Sequence, residues 1–305
     1  MTNIAPQLPP PGLEHVPEGG AVGPVQSGWR LAAREFAENK LAVLGLAALV
    51  FFVVFCYLGP LVYHGGLTSQ LTSTNLPPAA GHPLGTGQQG FDVLEELMIG
   101  GRSALEIGFL SAVIGMVIGA IWGAVAGLAG GLLDGFMMRI VDVLLSIPFL
   151  FVILIVAIRY GASILGLSLI IGFFTWQVPA RLVRGEVLTL RVRDFVAAAR
   201  AAGSGRIRLI NRHLLPNSLG VIIVTATFAV ADAILAVATL GFLGFGLQYP
   251  NLDWGDMLNN GLTFLQDGYW WQVYPVGICI VVVVMACNLL GDALRDALDV
   301  RLRRR

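Results

Sequence analysis

Charge is what this sequence has least of. Only 12% of its 305 residues are Asp, Glu, Lys or Arg, about half the roughly 25% of a soluble domain. With 56% apolar residues, such a chain cannot hide its apolar surface from water. That excludes a water-soluble enzyme, a nucleic-acid binder and a disordered scaffold. Lysine is nearly missing: Lys40 is the single lysine among nineteen basic residues. A phosphate-binding loop of the form GxxxxGK[ST] is therefore excluded, because Lys40 follows Asn39. The three cysteines, Cys56, Cys279 and Cys287, sit in apolar runs without metal-ligand spacing. They read as buried thiols, so neither a disulfide framework nor a metal site follows. HExxH, GxSxG and any His/Cys cluster are absent as well, which removes the groups a membrane-embedded enzyme would need. Residues 1–28 lack Lys, Arg and any apolar run, and prolines from Pro6 to Pro24 punctuate them. They read as a disordered cytoplasmic tail rather than a cleaved signal peptide.

What is present is long apolar runs. A helix needs about 20 mostly apolar residues to cross a bilayer. Such runs fall at 41–63, 107–133, 137–158, 160–180, 218–245 and 272–291. The expectation is an all-α integral membrane protein with six transmembrane helices and both termini on one side. The basic residues agree. Alternating sides places seventeen of them on one face and only Arg102 and Arg159 on the other. The basic face is cytoplasmic, because positive loops are retained there. The chain then divides into a tail (1–28), a first helix with an external segment (29–103), a five-helix core (104–291) and a basic cytoplasmic tail (292–305).

Three local patterns refine this layout. Gly115, Gly119, Gly123, Gly127 and Gly131 recur every four residues. That spacing is slightly more than one helical turn, so they form a stripe along which another helix can approach closely. Residues 91–102 put Phe91, Leu94, Leu97 and Met98 on one face, which predicts a short helix lying on the outer membrane surface. Tyr249, Trp254, Tyr269, Trp270 and Trp271 lie in a segment without Lys or Arg, which predicts an external aromatic belt.

The long basic loop 181–217 is too polar to span and too patterned for a linker. Phe195, Ala198, Ala199 and Ala202 fall at i, i+3, i+4 and i+7, one face of a short helix. Gly203 follows where a helix end needs a left-handed residue. Arginines surround it, and Pro216-Asn217 leads into the fifth span. Composition alone leaves a docking helix and a merely topogenic basic loop both open.

Four blocks carry a resemblance. DFVAAARAAGSGRIRLINRHLLPN (194–217), HPLGTGQQGFDVL (82–94), LGFLGFGLQYPNLDWGDML (240–258) and GDALRDALDVRLR (291–303) resemble, in order, conserved blocks of permease subunits of ATP-binding-cassette importers. The likeness is to the C-type subunit of dipeptide/oligopeptide systems. Ala197 stands where the family's signature has glutamate, Gly87 and Phe91 where it has Asp and Arg, and Val300 where it has proline. Ala197 removes one charge-assisted contact at that point.

The resemblance implies a type I importer permease fold with a cytoplasmic coupling helix near 194–203. The coupling residues it implies are Phe195, Ala198, Ala199, Arg200, Gly203, Arg212, His213, Leu215 and Pro216. It implies a transport subunit of the inner membrane that is not itself an enzyme and holds no cofactor, ATP and Mg being bound by two partner ATP-binding subunits. The other implied partners are a related B-type permease and an extracytoplasmic substrate-binding protein; lipid is its solvent and nucleic acid plays no part. Di- or oligopeptides are the implied cargo, with nickel chelates, glutathione or oligosaccharides as alternatives on the same branch.

Asp232, near the middle of the fifth span, is the charge that costs most. It reads as a translocation-path contact for a substrate amine, as a proton site, or as a partnered carboxyl fixing helix packing. A secondary transporter built on Asp232 is the competing class, but no inverted repeat accompanies it. Arg139 and Asp142, three apart, are expected to pair with each other.

Overall fold

The computed structural model describes residues 36–65 and 73–303. The expected tail 1–28, with Arg30, Arg34, Arg304 and Arg305, lies outside the described residues. The chain is helical throughout its long elements: α1 (Lys40–Val62), α2 (Val93–Ala129), α3 (Gly131–Ser146), α4 (Phe149–Tyr160), α5 (Ile164–Thr175), α6 (Gln177–Leu190), α7 (Asp194–Ala201), α8 (Arg206–Leu209), α9 (Leu219–Phe242), α10 (Trp254–Leu262) and α11 (Tyr274–Arg303). Four helices are long and apolar enough to cross a membrane, and two bent pairs, counted as one span each, bring the total to six.

Several boundaries differ from the sequence expectation for identifiable reasons. The short surface helix at 91–102 is the first part of α2, which runs unbroken for 37 residues from an Asp92 cap whose carboxylate accepts the Glu95 N–H. At 1.5 Å per residue that is about 55 Å, more than the roughly 45 Å of a bilayer with its headgroups. It is longer than an upright span requires. Gly100 and Gly101 do not interrupt it, because Trp254 fills the space beside them: a Cβ on Gly101 would meet the indole at 2.6 Å and Cys56 Sγ at 2.5 Å.

The third span breaks by 72° between α3 and α4. Pro148 follows an extended Ile147 there, as the steric rule for residues preceding proline requires. The fourth span bends by 44° between α5 and α6. Pro179 lies in the first turn of α6, so the Thr175 carbonyl loses its helical donor. α6 then continues to Leu190, so residues 181–190 of the expected loop are helix. At the far end, α11 carries straight through the expected tail 292–303.

Among the described residues, two of the seams that hold the bundle bear on the site. In the first, Phe52, Leu97, Ile234, Met257, Trp271 and Val283 gather around a fully buried Trp254, whose indole N–H donates to Leu97 O at 2.9 Å. Trp254 and Trp271 are thus core anchors rather than part of an aromatic belt; of that expected belt, Tyr249 and Trp270 are the exposed members. Cys56, Cys279 and Cys287 are buried free thiols.

In the second seam the glycines of α2 meet α5 and α6. A Cβ on Gly115 would lie 2.8 Å from Thr175 Oγ1, one on Gly119 2.7 Å from Trp176 O, and one on Gly127 2.8 Å from Val187; one on Gly123 would press on Ala180 O. The backbones meet there, as close helix packing in lipid demands. Gly131 is not part of this stripe. α2 ends at Ala129, Gly130 and Gly131 take positive φ (65° and 59°), and open space surrounds Gly131.

The external segment caps the first seam. Asp92 accepts from Tyr63 Oη and lies 2.8 Å from His82 Nδ1. Thr86 O receives both Trp271 Nε1 and Gln272 Nε2 at 3.2 Å. Phe91, in place of the resembled family's arginine, stacks on Tyr249 with ring centroids 6.0 Å apart.

Candidate functional site

The basic end of the bundle is organised around α7. Asp194 in its first turn and Arg200 in its last complement the helix dipole. Its end is a Schellman motif: Ser204 N donates to Ala199 O at 3.0 Å and Gly203 N to Arg200 O at 2.9 Å, with Gly203 at φ +79°.

One side of α7 is fixed and the other is free. Val196 is fully buried against Leu209 and Leu214, under Val183, Val187 and Ala124 of the main bundle. Ala199, half-buried, leans on that cluster, whereas Phe195, Ala198, Arg200, Ala202 and Gly203 are exposed. The apolar face expected from 195, 198, 199 and 202 is therefore mostly an outward face, and the inward anchor is Val196.

The return to α9 is also set by a proline. Pro216 has no N–H for the Arg212 carbonyl, and its ring presses on that carbonyl. The chain widens into a π-helical turn over Ile210–Leu214, where Leu215 N reaches Ile210 O. Asn217 Nδ2 and Ser218 Oγ donate to the His213 and Leu214 carbonyls at 2.6 and 3.0 Å. Arg212 and Pro216 are exposed; His213 and Leu215 are half-buried, and the His213 ring sits 6.4 Å from that of Phe195.

Arginines on α6 tie this end to α3. Arg184 holds Asp134 with two parallel hydrogen bonds of 2.5 and 2.7 Å, the strong geometry for this pair. Arg181 pairs with Asp142, so Asp142 does not pair with Arg139 as the spacing suggested. Because α6 crosses beside α3, the partner comes from another helix instead of the next turn. Arg191 donates to Gly127 O at 2.9 Å.

Above α7 opens a cavity of about 1510 Å³, bounded by α4, α5, α6, α9 and the basic end of α11. It reaches from Thr239 and Leu235 down to Arg193, Asp194, Phe195 and Pro216, so one continuous space links mid-membrane to α7. Asp232 lies on its wall and is exposed to it, with buried Ala231 and Ala233 on either side.

The pattern has known counterparts. Residues 115–304 match the family model of the binding-protein-dependent transport system inner membrane component. Residues 27–78 match the N-terminal TM domain of oligopeptide transport permease C. The chain belongs to the binding-protein-dependent inner-membrane permeases.

Among relatives, the permease is 39% identical to the dipeptide transport system permease protein DppC of Bacillus subtilis (strain 168), over 90% of this chain and 86% of the relative. It is 41% identical to the protein of the same name from Escherichia coli (strain K12), over 92% and 94%. It is 38% identical to the oligopeptide transport system permease protein OppC of Escherichia coli (strain K12), over 89% and 90%. A permease of this family is a multi-pass inner-membrane transport component without catalysis of its own. ATP is bound by a partner ATPase, and an extracytoplasmic binding protein is part of the system.

Sequence reasoning missed three features of the permease's basic end. Val192 and Ile207 are 75% and 76% exposed, each between two arginines. The Arg-Val-Arg and Arg-Ile-Arg triplets were legible but looked like ordinary basic loop. Val196 was missed because one valine among alanines gives no periodic signal. Glu186 gives no signal of its own in the sequence, where 181–190 reads as polar loop; it lies on α6 and faces the cavity.

Proposed function

We propose that this permease forms half of the translocation pathway of an ATP-driven importer of di- and oligopeptides, the other half being a related B-type permease. Two ATP-binding subunits seat on the cytoplasmic side, one of them on α7 through Phe195, Ala198, Ala199, Arg200 and Gly203, with Arg212, His213, Leu215 and Pro216 framing the seat. The observation that carries this reading is the two-sidedness of α7. One face is locked into the bundle by Val196, and the other presents alanines and a glycine over which a partner groove can close.

Motion of the ATPase is then passed through Val196, Leu209 and Leu214 to α6 and α2, and reaches the cavity wall as rigid-body tilting between two packings. Asp232 is assigned to the path because it opens into the same cavity. The peptide cargo follows from the names of the relatives, which cover nearly the whole chain. Both termini lie on the cytoplasmic side, in keeping with the arginine count, and 104–291 form the permease core.

The test is ATP-dependent uptake of radiolabelled di- and tripeptides by proteoliposomes holding the co-purified complex and its binding protein. Uptake that stops with a non-hydrolysable ATP analogue is the expected result. Peptide uptake by an ATPase-free preparation would instead favour a secondary transporter centred on Asp232.

A further inference from the structure

The cavity carries charge of one sign above its mouth. On α9 the lining residues Val221, Thr225, Phe228, Asp232, Leu235 and Thr239 recur every three or four positions, so Asp232 sits in the middle of one helical stripe. Its carboxylate makes no hydrogen bond or ion pair among the described residues. On α6 the stripe Val178, Leu182, Glu186, Leu190 carries a second carboxylate into the same space. The Glu186 side chain likewise makes no hydrogen bond or ion pair among the described residues, and Arg193 is the neighbouring charge that reaches it. The cations on the wall, Arg193 and Arg295, lie at the mouth beside Asp194.

Depth follows from helix geometry. Asp232 is thirteen residues into α9 from its cytoplasmic start, about 20 Å at 1.5 Å per residue. Glu186 is four residues from the end of α6, about 6 Å from that end on the same measure. Two carboxylates thus stand at different heights along one mostly apolar passage, with the arginines below both.

An ionisable side chain that faces a water-accessible cavity inside a membrane bundle marks a substrate or ion path, and a carboxylate there without a protein partner is open to a cation. We infer that the cavity takes its cargo by a protonated amino group, with Asp232 as the deep station, Glu186 as a second station near the exit, and Arg193 and Arg295 receiving the cargo's carboxylate end at the mouth. This rests on the reading of the cavity as a peptide path and adds to it a ligand chemistry and a polarity: amino end deep, carboxyl end toward the cytoplasm. Placing like charge at Asp232 is repulsive, so a cargo stripped of its amine loses the one group the deep wall can pair.

The experiment uses the whole complex in nanodiscs without the binding protein, so that the binding protein's own preference does not enter. Fluorescence anisotropy reports binding of Ala-Cys-Ala labelled through its thiol, which leaves the carboxylate free, against the same peptide N-acetylated. Wild type should hold the free-amine peptide about tenfold more tightly, the scale of a charge-assisted hydrogen bond. Asp232→Asn should cut the difference to about threefold or less, what Glu186 alone supplies, and Asp232→Glu should restore most of it. Glu186→Gln should shrink it by about threefold. Co-purified ATPase serves as the assembly control for each variant.

Equal wild-type affinity for the two peptides overturns the inference, as does a preference that Asp232→Asn leaves undiminished. If both peptides bind equally and both are imported by the reconstituted system, the amine stations fall while the peptide path stands. If neither binds and neither is imported, the peptide reading falls and takes the stations with it.

Discussion

Gly203 offers the sharpest perturbation of the proposed coupling segment, because within the permease its role is conformational and not steric. Its φ is +79°, and open space surrounds the position a Cβ would take. Alanine there clashes with nothing in the permease but must hold a left-handed backbone, at a cost of about 1–2 kcal/mol. That cost falls on the Schellman turn, whose two hydrogen bonds of 2.9 and 3.0 Å aim α7. A penalty of that size changes the population of the docked geometry by roughly 5- to 30-fold. Asparagine tolerates the left-handed region better than alanine does, so Gly203→Asn should lie between wild type and Gly203→Ala. Gly203→Arg adds a bulky charge where a partner must approach, and should uncouple most. The assay is peptide uptake per ATP hydrolysed in proteoliposomes, with membrane abundance measured alongside. Expected is normal abundance with coupling falling in the order glycine, asparagine, alanine, arginine. Wild-type coupling in both the alanine and arginine variants would refute the assignment of α7 as the coupling element.

Other sites give independent checks. Ile207→Asp and Val192→Asp put charge on residues exposed at 76% and 75%, so neither should lower the thermal midpoint, while ATPase recovered in a detergent pull-down should fall several-fold if these side chains are part of the docking surface. Gly101→Ala drives a methyl to 2.5 Å from Cys56 Sγ and 2.6 Å from Trp254; overpacking of this kind costs about 1–3 kcal/mol, so the midpoint should drop by several degrees, and an unchanged midpoint would contradict the packing. At the external cap, burial pushes the Asp253 carboxyl up to about 6 from an ordinary 3.8, against the backbone N–H groups of Asp256 and Leu247 that favour its charge. Folded protein then holds the extra proton between those values, so stability should fall as pH rises through that window and level off above about 6. Asp253→Asn, which keeps the helix cap, should flatten that slope in nanodisc thermal scans; a variant with the wild-type slope would place the titration elsewhere.

Much of the proposed coupling segment is legible in linear sequence because its signals are local. Gly203 stops a helix whatever surrounds it, since only glycine takes φ +79° without strain, and Pro216 disrupts helical hydrogen bonding by its own ring. The outward alanines showed as a periodicity of three and four. The anchor did not show, because Val196 is buried by Leu209, Leu214 and Val187, residues that reach it only once α6 and the π turn fold back.

The apolar runs are legible in the sequence as six candidate spans and the arginines as one basic face, because the cost of placing charge or unsatisfied backbone in hydrocarbon is met segment by segment. Tertiary structure alone decided what those spans do to one another. It turned Trp254 and Trp271 from surface aromatics into core, gave Asp142 to Arg181 in place of Arg139, and ended the glycine stripe at Gly127. It also set Asp232 and Glu186 on the wall of one cavity. These outcomes depend on which helices become neighbours, and that follows from how backbones bend at Pro148 and Pro179 and pack along α2, not from the composition of any one segment.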